Sequence, residues 1–382
     1  MKNVVVLGPT GSIGQSAAKV ARDIPQRMRI VGMSAHRNLP KFTDLAREFP
    51  DAALCVTGEE VPPAGTLDPC RKILRGEDGL VELATLPEAD IVLIAIVGTG
   101  GLRPALAAIE AGKDLAIASK EILVMAGEIV MKAARRKGVK VLPVDSEHNA
   151  IFQCLEGRDP SHVRRLLLTA SGGPFRKSTP ESLESVTPAQ ALKHPTWSMG
   201  SKVTIDSATL FNKGLEMIEA RWLFDVGMER IDVVVHPQSV IHSMVEFIDS
   251  SILAQLSCSD MCFPIQYALT WPDRVPNSLP TLDFAALSRL EFEAPRTDVF
   301  PAINLARQAG ATGGTLPAVL NAANEVAVAA FLNQRLSFPG IWKMVGAVME
   351  AHRTIATPTL DAILEADHWA RACATEWIAQ SA

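Results

Sequence analysis

The chain has 382 residues, 48% of them hydrophobic, and 37 Lys and Arg against 42 Asp and Glu give a formal net charge of −5. That length and apolar content exclude a disordered chain and give room for two or three domains, each with a core of its own. The acidic balance, with no basic block or aromatic-basic stripe, argues against general nucleic-acid binding, so any phosphate must be held by a local cluster of cations.

Six cysteines (Cys55, Cys70, Cys154, Cys258, Cys262 and Cys373) are scattered without a CxxC pair. The pattern argues against a zinc site or a disulfide framework and for a reducing, cytoplasmic setting, with Cys258 and Cys262 as core thiols. Met1-Lys2-Asn3 leads straight into a strand pattern, and no apolar stretch approaches transmembrane length. The expectation is a chain neither secreted nor membrane-bound.

Up to about residue 150, β-branched runs at 4–7, 30–33, 53–56, 91–96, 115–118 and 139–144 alternate with amphipathic segments. Such alternation predicts a parallel sheet covered by helices. The first run is followed by Gly8-Pro9-Thr10-Gly11-Ser12-Ile13-Gly14 and a helix-like segment at 15–24. Glycines there let the backbone approach a pyrophosphate, and the helix offers open N–H groups and the positive end of its dipole. A Rossmann-like nucleotide domain over residues 1–150 is the reading.

The second run ends in Ser34-Ala35-His36-Arg37-Asn38, with no acid to hold a ribose hydroxyl. Arg37 can pair with a 2′-phosphate, which favours NADPH. Against this stands a plainer reading, in which Arg37 is a solvated cation and Asn38 caps a helix beginning near Pro40.

Pro143-Val144-Asp145-Ser146-Glu147-His148-Asn149 sets two carboxylates two positions apart at the end of an apolar run. If residues 141–144 form a strand, Asp145 and Glu147 leave its C-terminal end on the same side, as ligands for a hard divalent cation. Further on, Ser171-Gly172-Gly173 is a small-residue turn fit to present N–H groups and a hydroxyl to an anion. Residues 194–200, His-Pro-Thr-Trp-Ser-Met-Gly, form a polar loop with a large aromatic, as a water-excluding lid needs.

A long helix is expected from about Ser207 to Phe224. On it, Asn212 and Glu216 share a face at i and i+4 with Lys213 beside them. Serine, asparagine and lysine suit a phosphate, whereas Glu216 could join Asp145 and Glu147 around Mg²⁺ or Mn²⁺. An ordinary charged helix face is the competing reading. Runs at 164–169, 233–236, 240–247 and 252–256 predict a second sheet, making 151–275 an α+β catalytic domain. His236-Pro237-Gln238-Ser239 is assigned to structure. Pro272, Pro276, Pro280 and Pro295 mark a linker over 276–299, and Ala/Leu-rich helical spacing predicts an α-helical C-terminal domain over 300–382.

Together GPTGSIG, AIVGTGGL, ASKE, PVDSEHNAIFQ, SGGPF, HPTWSMG, DSATLFNKGLE, EARWLF, HPQSVIHS and LNAANE, in order over about residues 1–330, closely resemble the 1-deoxy-D-xylulose-5-phosphate reductoisomerase family. Pro9 stands where the family often has serine, and Ser119 where it often has asparagine. The resemblance implies NADPH contacts at Thr10, Gly11, Ser12, Ile13, His36, Arg37, Asn38, Ser119, Glu121 and Gly200. It implies a cation (Mg²⁺ or Mn²⁺, with Co²⁺ a further option) on Asp145, Glu147 and Glu216.

Substrate contacts implied by the resemblance are Lys120, Ser146, Glu147, Ser171, His194, Ser207, Asn212, Lys213 and Glu216, with Trp197 and Met199 on the lid. Lys120, Glu147 and His194 are the implied catalytic groups, the skeleton rearranging by retro-aldol cleavage and re-addition before NADPH reduces the aldehyde. A homodimer acting on a small sugar phosphate is also implied. Two rival readings are a plain NADP-dependent semialdehyde or polyol dehydrogenase, which leaves the three acids unexplained, and an NADPH-sensing regulator, which metal-dependent turnover would exclude.

Overall fold

A computed structural model describes the chain except residues 61, 64, 65, 68–70, 198 and 382, so Cys70 and Ser198 lie outside the described residues. Two compact units emerge: residues 1–122, 128–149 and 260–281 form one, and 123–127, 150–259 and 282–382 the other.

The first unit is built on seven strands: β1 (Lys2–Leu7), β2 (Met28–Ala35), β3 (Ala53–Val56), β4 (Ile73–Arg75), β5 (Ile91–Ile94), β6 (Asp114–Ile117) and β7 (Val141–Pro143). They lie in the order β4-β3-β2-β1-β5-β6-β7, every pair parallel. Val4, Val5, Val6 and Leu7 are all fully buried, as a central strand covered on both faces must be. Strand order reverses at β1, so a crevice opens beyond the carboxyl ends of β1 and β5, where ligands bind in such sheets.

Residues 260–281, which composition placed with the catalytic part and the linker, pack into this first unit. Cys262 Sγ reaches Ser16 O at 3.8 Å, and Lys2 Nζ donates to Trp271 O at 2.8 Å. Cys262 is buried but Cys258 is only half-buried.

The strand expected over 141–144 stops one residue short. β7 ends at Pro143, whose ring nitrogen has no proton to continue the ladder, and the helix Ser146–Leu155 follows at once. Asn149 N–H donates to Asp145 O at 2.8 Å, making Asp145 the cap. Glu147 therefore lies in the first helical turn, and both acids sit at the positive end of the helix dipole.

In the second unit β8 (Val163–Ala170), β9 (Ile231–Val235), β10 (Ile241–Phe247) and β11 (Ile252–Leu256) are ordered β11-β10-β8-β9, with β8 and β9 parallel and the other pairs antiparallel. The helices Ala302–Thr312, Leu316–Leu332, Gly340–Ala351 and Leu360–Ser381 share one hydrophobic core with this sheet's unit, in which Phe211, Leu215 and Ile218 meet Ala302, Ala306 and Phe331. A Cβ on Gly214 would stand 2.7 Å from Ala306 Cβ, so the two helices touch at backbone distance.

Part of the expected linker is pinned. Glu293 exchanges both backbone hydrogen bonds with Val235 of β9, at 2.8 and 2.9 Å, and Arg296 donates to Ser178 O at 2.7 Å. His236 is structural as expected: its Nδ1–H donates to Glu291 O at 2.8 Å, and its ring stacks on Phe292.

The expected single helix from Ser207 to Phe224 is two. Leu210 adopts a left-handed conformation (φ 65°) and divides Ser201–Thr209 from Phe211–Phe224. Asn212 and Lys213 thus occupy the opening turn of a helix, where backbone N–H groups lack intrahelical acceptors.

Candidate active site

The first unit carries the nucleotide crevice. β1 runs into the glycine loop, and a Cβ on Gly14 would lie 2.3 Å from Pro9 Cα and 2.4 Å from Gly8 O, so only glycine lets the helix Ser12–Asp23 begin this close to the strand. Gly11 caps that helix without a side-chain bond, leaving the N–H groups of Ser12 and Ile13 directed out of its N-terminus beside Thr10.

Beyond β2, His36, Arg37 and Asn38 are exposed. Asn38 Oδ1 accepts Lys41 N–H at 3.3 Å and so caps the helix Leu39–Glu48, while His36 Nδ1 lies 3.1 Å from Thr57 Oγ1. Ser119 opens the helix Lys120–Lys137, and its hydroxyl donates back to Ile96 O beyond the end of β5. Its proton is committed to tying two strand ends together. Glu121 lies buried in the same first turn.

Asp145 and Glu147 are both held by neighbouring side chains of this unit. Lys120 Nζ pairs with Asp145, the two side chains only 11% and 18% exposed. Ser146 N–H donates to Asp145 Oδ1 at 3.1 Å, and Ser146 Oγ donates to Glu147 Oε2 at 2.6 Å.

In the second unit a polar cluster forms around His194. Its Nδ1 accepts the backbone N–H groups of Thr196 (3.1 Å) and Trp197 (2.9 Å), so the ring proton sits on Nε2. Nε2 lies 2.9 Å from Ser171 Oγ and 3.1 Å from Ser207 Oγ. Burial lowers the His194 pKa, reinforcing the neutral form. A Cβ on Gly173 would come within 2.9 Å of Ser207 O, so the Ser171-Gly172-Gly173 turn can press against the Ser201–Thr209 helix only as glycine. One imidazole N–H and two hydroxyls converge, a donor set that fits a phosphate oxygen.

Trp197 packs its ring 6.3 Å from that of His242, Met199 is half-buried, and exposed Gly200 caps the Ser201–Thr209 helix. Asn212 Nδ2 and Lys213 Nζ both donate to Glu216, with Lys213 4% and Glu216 0% exposed in their side chains. The sequence reading paired Lys213 with an anion and Glu216 with a cation. In the structure the two pair with each other, and the buried Asp206 and Asn324 join the polar groups of this unit.

A nucleotide crevice at a strand-order reversal, together with acids and a phosphate-fitting donor cluster, defines a nucleotide-dependent α/β enzyme acting on phosphorylated small molecules. Three family models agree on a narrower identity. They are 1-deoxy-D-xylulose 5-phosphate reductoisomerase over residues 4–127, its C-terminal domain over 141–224, and the DXP reductoisomerase C-terminal domain over 256–373.

The chain is 51% identical over 375 residues, 97% of each chain, to the 1-deoxy-D-xylulose 5-phosphate reductoisomerase of Pelotomaculum thermopropionicum. A solved Zymomonas mobilis reductoisomerase in complex with NADPH matches 99% of both chains at 43% identity and TM-score 0.90. A DOX-P reductoisomerase in complex with NADPH, fosmidomycin and magnesium covers 99% of this chain and 98% of its own at 39% identity and TM-score 0.91. The chain belongs to the 1-deoxy-D-xylulose 5-phosphate reductoisomerase family.

Proposed function

We infer that this chain catalyses the NADPH- and divalent-metal-dependent isomerisation and reduction of 1-deoxy-D-xylulose 5-phosphate to 2-C-methyl-D-erythritol 4-phosphate. The observation that carries this reading is the cluster of His194, Ser171 and Ser207, whose fixed imidazole tautomer presents an N–H where two hydroxyls meet. That is a seat for a phosphate monoester on a chain of this family.

The residues fit the groups the reaction needs. Thr10, Gly11, Ser12 and Ile13 on the open helix N-terminus would hold the NADPH pyrophosphate and Arg37 its 2′-phosphate, with His36, Asn38, Ser119, Glu121 and Gly200 completing the cofactor contacts. Asp145, Glu147 and Glu216 are all-oxygen donors suited to Mg²⁺, Mn²⁺ or Co²⁺. Lys120 on Asp145 and Lys213 on Glu216 supply positive charge where a cation would, which is the electrostatic demand such a ligand set makes. When bound, the cation polarises the substrate's oxygens and NADPH supplies the hydride for the rearranged aldehyde.

The chain's own residues do the rest. His194 Nε2–H, the hydroxyls of Ser171 and Ser207, and the donors of Asn212 and Lys213 hold the phosphate. That remote binding energy closes the site so that Trp197 and Met199 exclude water. Lys120 and Glu147 are the proposed proton carriers, Glu147 oriented by Ser146 Oγ. We further propose that the chain works as a cytoplasmic homodimer. The free thiols of the described cysteines suit a reducing compartment, and no described helix is long and apolar enough to cross a membrane.

The test is NADPH consumption with 1-deoxy-D-xylulose 5-phosphate, with and without Mg²⁺. Turnover abolished by chelation and restored by metal is expected. No turnover, or turnover indifferent to chelation as in a plain dehydrogenase, overturns the reading.

A further inference from the structure

The helix Leu316–Leu332 lies in the hydrophobic core yet carries two asparagines, Asn321 and Asn324, that are both 0% exposed. Asn324 Nδ2 donates to Asp206 Oδ1 at 2.8 Å. Asp206 is itself buried, and its other oxygen meets Lys202 Nζ at 2.6 Å, one helical turn back. Asn324 Oδ1 has no hydrogen-bond partner among the described residues.

A leucine at this core position would leave the buried Asp206 Oδ1 without its amide donor, so the amide is retained even though its own oxygen stays unsatisfied. The amide is kept for its N–H, and that N–H lands on the residue before Ser207. Turning the amide over would set its oxygen against a carboxylate, so its orientation is fixed. The short Ser201–Thr209 helix begins after its N-cap Gly200 and ends at the left-handed Leu210, with Ser207 in its last turn 3.1 Å from His194 Nε2. It is tied to the core through Asp206.

We propose that Asn324 is a positioning residue for the phosphate seat. Through Asp206 it fixes the rotation of the Ser201–Thr209 helix, and with it where the Ser207 hydroxyl stands relative to His194 and Ser171. This rests on the reading of that cluster as the phosphate site. A residue of the C-terminal helices, touching neither substrate nor cofactor, thereby sets the affinity for the phosphate end of the substrate.

The experiment titrates inorganic phosphate and, separately, NADPH into the full chain by calorimetry, for wild type, Asn324→Leu, Ser207→Ala and the exchanged pair D206N/N324D. Asn324→Leu should weaken phosphate binding about tenfold, the scale of a lost hydrogen bond to a charged group, and leave NADPH affinity unchanged. The exchanged pair keeps one amide-to-carboxylate bond between the two positions and should recover most of the phosphate affinity.

Normal phosphate binding in Asn324→Leu beside weakened binding in Ser207→Ala sinks this proposal alone. Normal binding in both sinks the phosphate seat itself. If Asn324→Leu does not fold, the exchanged pair decides: near-normal phosphate affinity supports the coupling, and loss of phosphate with NADPH binding intact refutes it.

Discussion

Truncating Lys213 should have two separable effects. Its ammonium is buried and rests on Glu216, whose carboxylate is fully buried. Lys213→Ala removes the positive partner of a buried pair, at a cost of roughly 3–5 kcal/mol. For a domain of this size class that lowers the unfolding temperature on the order of 10 °C.

If Glu216 is a metal ligand, a divalent cation replaces the lost charge, so Mg²⁺ should stabilise the variant more than it stabilises wild type. At a hundredfold excess over Kd the gain is about 2.7 kcal/mol. On the phosphate side, loss of one charge-assisted contact is worth roughly 1.5–3 kcal/mol, so kcat/KM should fall about 10- to 100-fold with NADPH affinity intact. Thermal unfolding with and without Mg²⁺, beside steady-state kinetics, reads both effects. Equal responses of variant and wild type to Mg²⁺, with KM for the sugar phosphate unmoved, would reduce Lys213 to a structural ion pair and refute both roles.

Other substitutions probe the remaining parts. Gly14→Ala drives a methyl into Pro9 and Gly8, so NADPH fluorescence titration should show cofactor binding lost or weakened by more than about tenfold, whereas a normal Kd would place the cofactor elsewhere. Arg37→Glu should raise KM for NADPH far more than for NADH, and an equal change in both would remove Arg37 from the 2′-phosphate. Burial holds the His194 pKa below its ordinary 6.5. The unfolded chain therefore takes up the proton first, so the stability His194 contributes is complete above the ordinary value, starts to fall there, and is lost as pH drops through the lower folded-state value. Thermal unfolding of wild type and His194→Gln from about pH 8 to about pH 5 should show wild type losing its relative advantage only at the acidic end, and a constant difference would mean the ring does not titrate in that window.

Much of the fold was legible because apolar pattern reports burial. The runs that became β1, β2, β3, β5 and β6 stand out as β-branched segments, and the glycine loop gains meaning from the strand before it and the helix after it. β4 escaped, since three residues carry no period. Leu210 escaped for a deeper reason. Nothing in Ala208-Thr209-Leu210-Phe211 signals a break, because leucine is a good helix former and only its tertiary surroundings hold it at φ 65°.

That one residue changes what its neighbours can do. On an unbroken helix Asn212 and Lys213 are mid-helix side chains, and their backbone N–H groups are spent on the preceding turn. After the break they open a new helix, where first-turn backbone N–H groups have no acceptor within the helix, and both side chains reach forward to Glu216. The same dependence holds for His194, whose usable nitrogen is decided by two backbone N–H groups and not by its own identity. It holds again for Asp206 and Asn324, 118 residues apart in sequence and meaningful only as a pair. Polar residues were therefore legible as candidates and illegible as roles. An apolar side chain has one preference, which its position in the period declares, whereas a polar one has several partners open to it, and the backbone direction at that point makes the choice.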